Sequence, residues 1–279
     1  MVMKVLAIVH VYYKDMWNEL EECLRIISTM DELTIFITTC NEDEVFSARV
    51  KTIFPEATVQ SVANKGYDLW PFMYVMNQVD PSDYDILVKL HTKRDISDGS
   101  RLKGAYVSGG RWRNLLLSFC STPENWELTR KRFQDPKTGM VAHHQLCFKQ
   151  NQDPCPEHYS KLPSLLSSMG LSWPRQGRYV AGSMFATRAS LFNVFRVRFS
   201  EDEFPIPDKS HTEGLPHTLE RLLGFAVSAQ GYRVVSWDGK SIRFEELKDS
   251  ILRIFFFRQI SKSYIRYRIF GIPVWQKRR

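Results

Sequence analysis

The sequence predicts an α/β protein built on a mostly parallel sheet. "KVLAIVHVYY" (4–13) is a continuous apolar run rich in β-formers, as expected for a strand buried on both faces. Similar runs then alternate with amphipathic segments, giving four β-α alternations in the first 95 residues. At 279 residues the chain is near the upper end of a single domain. We therefore expect one continuous doubly wound domain.

Each element of the first half has its own signal. The predicted strands cover residues 4–11, 33–39, 57–63 and 84–90. The helix predicted over 15–30 has Asp15 as its expected N-cap. Its apolar residues recur at helical spacing: Trp17, Leu20, Cys23, Leu24 and Ile27. Two further helices are predicted over 41–54, where Pro55 follows, and 68–79.

The second half is less regular. Helices are predicted over residues 111–121, 123–134, 157–169 and 215–230, with strands over 178–187 and 232–237. No repeat or low-complexity linker interrupts this pattern. We expect a domain over 1–248 and a tail over 249–279.

Charge is concentrated in that tail. The net charge is +7, and residues 253–279 hold eight Lys or Arg and no acidic residue. The remaining 30 basic residues face 31 acidic ones, which argues against nucleic acid as a partner of the body. The sequence predicts no signal peptide, and no apolar stretch of the roughly 18–20 residues that are needed to span a bilayer. Five scattered cysteines suit reduced thiols in the cytoplasm.

Polar residues collect where the predicted strands end. Ligands of open α/β sheets bind outside these carboxyl ends. The residues concerned are His10, Tyr12, Thr38, Thr39, the run from Asn64 to Asp68 and the run from Lys89 to Asp95. Gly66 would let backbone N–H groups approach an anionic oxygen. The side chains that supply charge for phosphates are Lys65, Lys89, His91 and Lys93. A nucleoside diphosphate suits such a rim; solvated loop residues are the alternative.

Six motifs follow one another along the chain: "KVLAIVHVYYKDMWNEL", "NKGYDLWPF", "YDILVKLHTK", "WR" at 112–113, "AGSMFATR" and "HTLERLLG". In this order they resemble the motifs of the rhamnan synthesis protein F family of bacterial polysaccharide glycosyltransferases. The resemblance spans roughly residues 3–240. It implies a GT-A-like, Rossmann-like fold and a nucleotide-sugar donor, with dTDP-rhamnose as the expected one.

The resemblance also implies roles for the strand ends. His10, Tyr12, Thr38 and Thr39 would hold base and ribose, and the ends of the third and fourth strands would hold diphosphate and sugar. The D-x-D metal motif of the broader class is absent from the end of the fourth strand, where "KLHTK" stands. Lys89, His91 and Lys93 would then neutralise the leaving diphosphate. A divalent metal (Mg²⁺ or Mn²⁺) held by His91 and Asp95 is the alternative.

An inverting transfer needs a base for the acceptor hydroxyl. Glu220 is the expected base, with His217 one helical turn earlier and Arg221 beside it. A surface Glu–Arg pair is the alternative reading, and Asp68 is the rival base. On the acceptor side we expect Gly182, Ser183 and Arg188, or else an ordinary core strand at these positions.

Two segments remain. The His- and Cys-containing segment 143–158 matches no zinc spacing known to us and is predicted to be a loop. The tail interleaves aromatic and basic residues, which is typical of an interfacial membrane segment. Nucleic acid or a partner enzyme is the alternative ligand of such a tail. With the activity that the resemblance implies, the tail predicts an enzyme on the inner face of the cytoplasmic membrane that extends a lipid-linked cell-surface polysaccharide. A non-catalytic sugar- or nucleotide-binding subunit is the alternative.

Overall fold

The computed structural model describes residues 2–94, 100–102, 105–107, 109–153, 155–207, 214–244, 247, 251, 256–260, 264–270 and 272–278. Within them the strands are β1 (Lys4–His10), β2 (Glu32–Thr39), β3 (Thr58–Ser61), β4 (Ile86–His91), β5 (Ser100–Leu102), β6 (Ala105–Val107), β7 (Thr138–Ala142), β8 (Cys147–Lys149), β9 (Arg178–Val180), β10 (Phe185–Arg188), β11 (Arg233–Ser236), β12 (Phe256–Ile260), β13 (Tyr264–Ile269) and β14 (Ile272–Arg278). The α-helices are α1 (Trp17–Met30), α2 (Glu44–Ile53), α3 (Leu69–Met76), α4 (Gly109–Leu117), α5 (Pro123–Arg132), α6 (Leu162–Ser168) and α7 (Leu215–Ala229).

One seven-stranded sheet organises the molecule, with strand order β3-β2-β1-β4-β10-β7-β11. The strands β1 to β4 are mutually parallel, and β11 is parallel to β7. β10 runs antiparallel to both of its neighbours. The prediction of a mostly parallel α/β sheet is confirmed, and the first four strands match their predicted bounds to within two residues at each end. Their carboxyl ends therefore share one edge of the sheet.

The amphipathic pattern of α1 is confirmed, but its predicted start is not. Its five apolar positions are all buried. Asp15, the predicted N-cap, lies instead in a short 3₁₀ turn, Lys14–Met16, and Met16 occupies the cap position. The Asp15 carboxylate binds the Arg94 guanidinium at 2.9 Å. The next helix, α2, has a true N-cap in Asp43, which accepts a hydrogen bond from the Phe46 N–H at 2.8 Å.

The prediction of a single strand over 178–187 is wrong. β9 ends at Val180 and pairs with β8, whereas β10 begins at Phe185 and enters the main sheet. Between them Gly182 (φ 84°) and Ser183 (φ 49°) have left-handed backbone conformations, which no strand can contain. Leu116 packs so closely there that a Cβ on Gly182 would lie 2.6 Å from its Cδ2. The sequence therefore contains a turn where an apolar run suggested a strand.

Two other segments differ from prediction. The helix predicted over 157–169 is a 3₁₀ turn, Pro156–Tyr159, followed by α6. Each of the two has a proline in its first turn, where the missing N–H costs no hydrogen bond. The fully buried β7 was not predicted.

The described part of the tail forms an antiparallel sheet of its own, β12-β13-β14. Large apolar side chains are exposed around its second hairpin: Ile269, Phe270, Ile272, Val274 and Trp275. Among helices in the described part of the chain, none is both long and apolar enough to cross a bilayer.

Candidate active site at the strand ends

A cleft of about 460 Å³ opens where β1, β3 and β4 end. The register of β1 places His10 beside Thr38 of β2 and His91 of β4. The cleft is lined by His10, Tyr12, Tyr13, Asn64, Tyr67, Asp68, His91, Thr92, Lys93, Arg94 and Pro207. The structure thus brings together six of the predicted nucleotide-sugar residues: His10, Tyr12, Asn64, Asp68, His91 and Lys93.

Asp68 is the centre of a buried polar cluster. Its Oδ2 accepts hydrogen bonds from the ammonium of Lys89 and from Ser183 Oγ, the latter at 2.5 Å. Lys89 Nζ also donates to Ser183 Oγ at 3.0 Å. His91 Nε2 lies 3.8 Å from the same carboxylate oxygen. Lys89 is only 1% exposed, so its charge faces this carboxylate instead of solvent.

The cluster keeps Asp68 ionised. Burial works to raise the pKa of Asp68, but charge on His91 and Lys89, with hydrogen bonds from Lys89 and Ser183, holds that pKa well below its usual range. Burial lowers the pKa of Lys89, and the charge of Asp68 opposes this effect. Burial likewise lowers the pKa of His91, so near pH 7 His91 is neutral and Lys89 is the counter-charge of Asp68. His91 becomes charged only in acid, where its charge helps to keep Asp68 ionised.

His10 forms a neutral polar wall of the cleft. Its Nδ1 lies 3.0 Å from Thr38 Oγ1, and its Nε2 lies 3.9 Å from Cys40 Sγ. Burial, with the charges of His91 and Lys89, lowers the pKa of His10 to about 4 against the opposing effect of Asp68. His10 can therefore donate or accept one hydrogen bond to a ligand without carrying charge.

Glu220 lies behind the Gly182–Ser183 turn, at the N-terminal part of α7. Its Oε1 accepts the Gly182 N–H at 2.6 Å, and its Oε2 accepts Arg221 Nη1 at 2.5 Å. Arg221 is buried and also donates to Asp153 Oδ2 at 2.8 Å. One oxygen of the predicted base thus holds the turn that carries Ser183 to Asp68, and the other pairs with Arg221.

His217, predicted on the acceptor side, lies between aromatic rings. Its ring stacks on that of His158 with centroids 5.0 Å apart, and lies 5.9 Å from the Tyr67 ring. Burial lowers the pKa of His217, while Glu220 opposes this. His217 therefore lies between Tyr67, at the rim of the cleft, and the residues around Glu220.

Some predicted site residues have other partners. The Lys65 ammonium pairs with Glu201 at 3.2 Å. The Gly66 N–H, expected to cradle phosphate, donates to the Pro205 carbonyl at 2.9 Å. Thr39 Oγ1 donates to the Asn41 carbonyl at 2.8 Å. These residues shape the β3–α3 connection and the end of β2 and do not line the cleft.

The prediction that Arg188 faces the acceptor is wrong. Arg188 pairs with Ile86 at the amino end of β4, the edge of the sheet opposite the cleft, because β10 is antiparallel. Its guanidinium donates to the carbonyl oxygens of Phe133, Thr138 and Asp135 at 2.6–2.9 Å. It is a structural residue that ties β10 to the turn before β7.

Thr92 lies in the predicted run from Lys89 to Asp95, but no role was predicted for it. Its Oγ1 accepts the backbone N–H groups of Tyr12 at 3.0 Å and Tyr13 at 2.9 Å, which fixes the loop after β1 to the end of β4. Its place inside the K-x-H-T-K motif was the available signal.

The described residues do not assemble a divalent-cation site in the cleft. Asp68 is the one carboxylate among the described lining residues, and Lys89 already pairs with it. His91 Nε2 lies 2.9 Å from the Gly182 carbonyl and Nδ1 lies 3.2 Å from its Thr92 neighbour's carbonyl. Asp95, the other predicted ligand, lies outside the described residues.

The segment 143–158 is only partly the predicted loop, since it contains β8 and 3₁₀ turns. Cys155, Glu157 and His158 present ligand atoms within 4.8 Å of one another there. They are not among the residues that line the strand-end cleft.

These observations define a class of protein: an α/β protein with a mostly parallel sheet and a polar cleft at the ends of its strands. Rhamnan synthesis protein F matches residues 2–232, and the chain belongs to that family. Two curated relatives, both described as uncharacterized protein WxcX, come from Xanthomonas campestris pv. campestris strains B100 and ATCC 33913. Each is 25% identical over a 245-residue alignment, which covers 82% of this chain and 32% of the relative. The chain thus spans about a third of the length of these relatives.

Solved structures show more distant likenesses. A mannosyltransferase, PcManGT from Pyrobaculum calidifontis in complex with GDP-Man and Mn²⁺, aligns with a TM-score of 0.41 at 12% identity, covering 85% of this chain and 55% of that one. A cytidylyltransferase from Leptospira borgpetersenii serovar Hardjo-bovis (strain JB197) aligns with a TM-score of 0.36 at 10% identity, covering 84% and 75%.

Proposed function

We propose that the chain transfers a sugar from a nucleotide-diphosphate sugar to a growing bacterial cell-surface polysaccharide. The observation that supports it most is the ionised Asp68 carboxylate in a cleft at the strand ends, in a member of the rhamnan synthesis protein F family. Ligands of such sheets bind at this edge. A rhamnosyl donor such as dTDP-rhamnose, inversion at the transferred sugar and a lipid-linked acceptor of the lipopolysaccharide or O-antigen type are the finer parts of the proposal.

Asp68 suits contact with the donor better than proton abstraction. A general base works best when its pKa lies near the working pH, whereas the pKa of Asp68 is strongly depressed. Such a carboxylate can accept a hydroxyl of the ribose or sugar, or stabilise positive charge that develops on the sugar. Glu220 remains the proposed base, and to act it must exchange the Gly182 or Arg221 hydrogen bond for the acceptor hydroxyl.

Phosphate recognition falls to Lys93 and Arg94 in this proposal. Both line the cleft; Arg94 also pairs with Asp15, but that pair is exposed and a diphosphate can compete for it. Lys89 is buried against Asp68, and Lys65 pairs with Glu201 outside the cleft lining. Lys93 Nζ lies 5.8 Å from the centroid of the Trp112 ring, so its stem is already directed by that contact. Two cations at the mouth of the cleft can bind a diphosphate without a metal ion.

The tail supports attachment to an anionic membrane surface. Ile269, Phe270, Ile272 and Trp275 are 40–65% exposed around the β13–β14 hairpin. The surrounding segment is basic and holds no acidic residue from Arg253 onward. Apolar side chains beside cations suit the interface of an anionic bilayer, where a lipid-linked acceptor would be found.

A non-catalytic sugar- or nucleotide-binding subunit is the second candidate. The observation that favours it is that both oxygens of Glu220 are engaged by the protein itself. Donor turnover separates the two functions: slow hydrolysis of a nucleotide sugar supports the enzyme, and tight binding without turnover of any donor supports the subunit.

The direct test is a thermal-shift screen over dTDP, UDP, GDP and their sugars, with and without Mg²⁺ or Mn²⁺. Lys93→Ala and Arg94→Ala should each weaken the best nucleotide about 10- to 150-fold, because each removes a charge-assisted contact of about 1.5–3 kcal/mol. Lys51→Ala, on the exposed surface of α2, is the matched control and should change nothing. Unchanged affinity in both cleft variants would reject the phosphate assignment.

A further inference from the structure

Two short turns at the cleft share an uncommon backbone conformation. In the β3–α3 connection, Gly66 (φ 59°) and Tyr67 (φ 57°) are consecutive left-handed residues, and Gly182 with Ser183 forms a second such pair before β10. Positive φ is uncommon for a residue other than glycine, because its Cβ crowds the following carbonyl oxygen. Glycine would adopt this conformation without strain at the second position of either turn. Strain of this kind collects at active sites and ligand clamps.

The first turn is fixed in place by its surroundings. The Gly66 N–H donates to the Pro205 carbonyl at 2.9 Å, and the Gly66 carbonyl accepts the Leu69 N–H at 3.0 Å. A Cβ on Gly66 would overlap the Phe204 ring, so packing requires a glycine there. Tyr67, in contrast, adopts its conformation in spite of its side chain. A tyrosine at this position therefore calls for a role of the ring that a glycine could not fill.

The second turn shows what the side chain of such a residue can do. The hydroxyl of the strained Ser183 donates to Asp68 at 2.5 Å, in the polar cluster beside the cleft. Tyr67 directly precedes Asp68 in the chain and lines the same cleft. Ser183 is buried, whereas Tyr67 is 39% exposed. A ligand in the cleft can therefore contact the exposed part of the Tyr67 ring.

The neighbours of Tyr67 place it beside the proposed base. Its ring lies 5.9 Å from that of His217, which in turn stacks on His158. Burial lowers the pKa of His217, while Glu220 and Asp68, both close enough to act on it, oppose that effect. An aromatic ring beside a few polar groups is the usual lining of a site for a ligand with apolar surface, and a sugar ring has one apolar face. A sugar ring on Tyr67 would bring its hydroxyl groups near Glu220 and Asp68.

We propose that Tyr67 is the platform on which the saccharide acceptor of the transfer binds. Its ring packs against the apolar face of the acceptor's terminal sugar, and His217 supports that ring from α7. The nucleotide is held by other lining residues, among them Lys93 and Arg94. The proposal rests on the sugar transfer proposed above, since it names the residue that binds the acceptor of that reaction.

Calorimetry on the full chain tests the proposal, with a trisaccharide of rhamnose as the acceptor probe and dTDP as the nucleotide probe. The trisaccharide is titrated in excess dTDP, so that it cannot occupy the nucleotide part of the cleft. Tyr67→Ala should weaken trisaccharide binding about 10-fold or more, whereas Tyr67→Phe, which keeps the ring, should stay within about 3-fold of the parent chain. Affinity for dTDP should change by less than about 3-fold in both variants.

Two further variants separate the ring from its backbone. Phe244→Ala removes an exposed ring outside the lining of the cleft and is the control, which should change neither affinity. Tyr67→Gly should bind the trisaccharide as weakly as Tyr67→Ala but unfold at a higher urea concentration, because glycine adopts φ 57° without strain. A glycine variant that is no more stable than the alanine variant would remove the strain from which the proposal starts and so overturn it.

The binding results separate this proposal from the function on which it rests. Absence of trisaccharide binding by the parent chain, or equal binding by Tyr67→Ala, would overturn the platform. Loss of dTDP affinity in Tyr67→Ala with trisaccharide affinity kept would assign the ring to the nucleotide and would overturn it too. Loss of trisaccharide binding in Tyr67→Ala supports the platform even if the parent chain turns over no nucleotide sugar, a result that would reject the proposed transfer alone.

Discussion

The buried pair of Lys89 and Asp68 gives the sharpest prediction. Lys89→Met keeps the length and apolar stem of the side chain but removes the cation that faces Asp68. A buried carboxylate without its partner typically costs about 3–5 kcal/mol of folding free energy. We expect a loss of this size in the free energy of unfolding, measured in urea at pH 8.

The pH dependence of that loss follows from the direction of the pKa shifts. In the native protein the pKa of Asp68 is depressed, so its contribution to stability is complete above pH 3.8 and is lost only as pH falls further. Without Lys89, only His91 and the Ser183 hydrogen bond oppose the effect of burial, so the pKa of Asp68 should rise. In mildly acidic solution either the carboxyl or His91 can take up a proton and relieve the unpaired charge, so Lys89→Met should be less destabilised at pH 5 than at pH 8.

A double variant completes the test. Asp68→Asn in the Lys89→Met background removes the unpaired charge and should recover about 1–3 kcal/mol. Far-ultraviolet circular dichroism would show whether each variant remains folded before denaturant is added. The reasoning is refuted if Lys89→Met is as stable as the parent chain at pH 8, or if the double variant loses the sum of the two single losses.

Three other predictions concern the base, the β3–α3 connection and the tail. Glu220→Gln should lower turnover about 10²- to 10⁴-fold with donor affinity kept, while Asp68→Asn should raise the donor KM; the reverse result in steady-state kinetics would make Asp68 the base. Gly66→Ala should cost about 1–3 kcal/mol more than Gly170→Ala in thermal or urea unfolding, because both glycines have positive φ but only the first would overlap a phenylalanine ring; equal losses would contradict the packing argument. Truncation after Asp249 should leave the body folded but abolish salt-sensitive binding to anionic vesicles in sedimentation assays; unfolding, or unchanged binding, would reject the surface-anchor proposal.

The first half of the fold could be predicted because its signals are local. Each of β1 to β4 follows or precedes a helix with its own apolar spacing, and parallel pairing follows from that alternation. The central position of β10 could not be predicted in this way. It enters antiparallel between β4 and β7, partners far away in sequence, and the turn at Gly182 and Ser183 that delivers it reads as part of an apolar strand.

The candidate site, like the fold, could be predicted only in part. The strand ends that meet in the cleft follow from parallel topology, and His10, Asp68 and His91 meet there as predicted. The partners of the individual charged side chains could not be predicted from that topology. Lys65 meets Glu201, and Arg188 meets three carbonyl oxygens, because contacts between distant loops leave no periodic signal in the chain.

Lys89 shows why charge at a strand end is a poor guide to ligand contact. β4 lies between β1 and β10, and all six of its residues are buried. A lysine in such a strand must have an anion inside the protein, since leaving a buried ammonium unpaired is more costly than any gain from a transient ligand. The loop after β3 brings that anion as Asp68, and the turn before β10 brings the Ser183 hydroxyl. The N-x-G-x-D and K-x-H-T-K motifs are therefore two halves of one buried ion pair. That pair fixes an ionised carboxylate at the cleft, and Lys93, two residues beyond the buried strand end, is left to face a ligand.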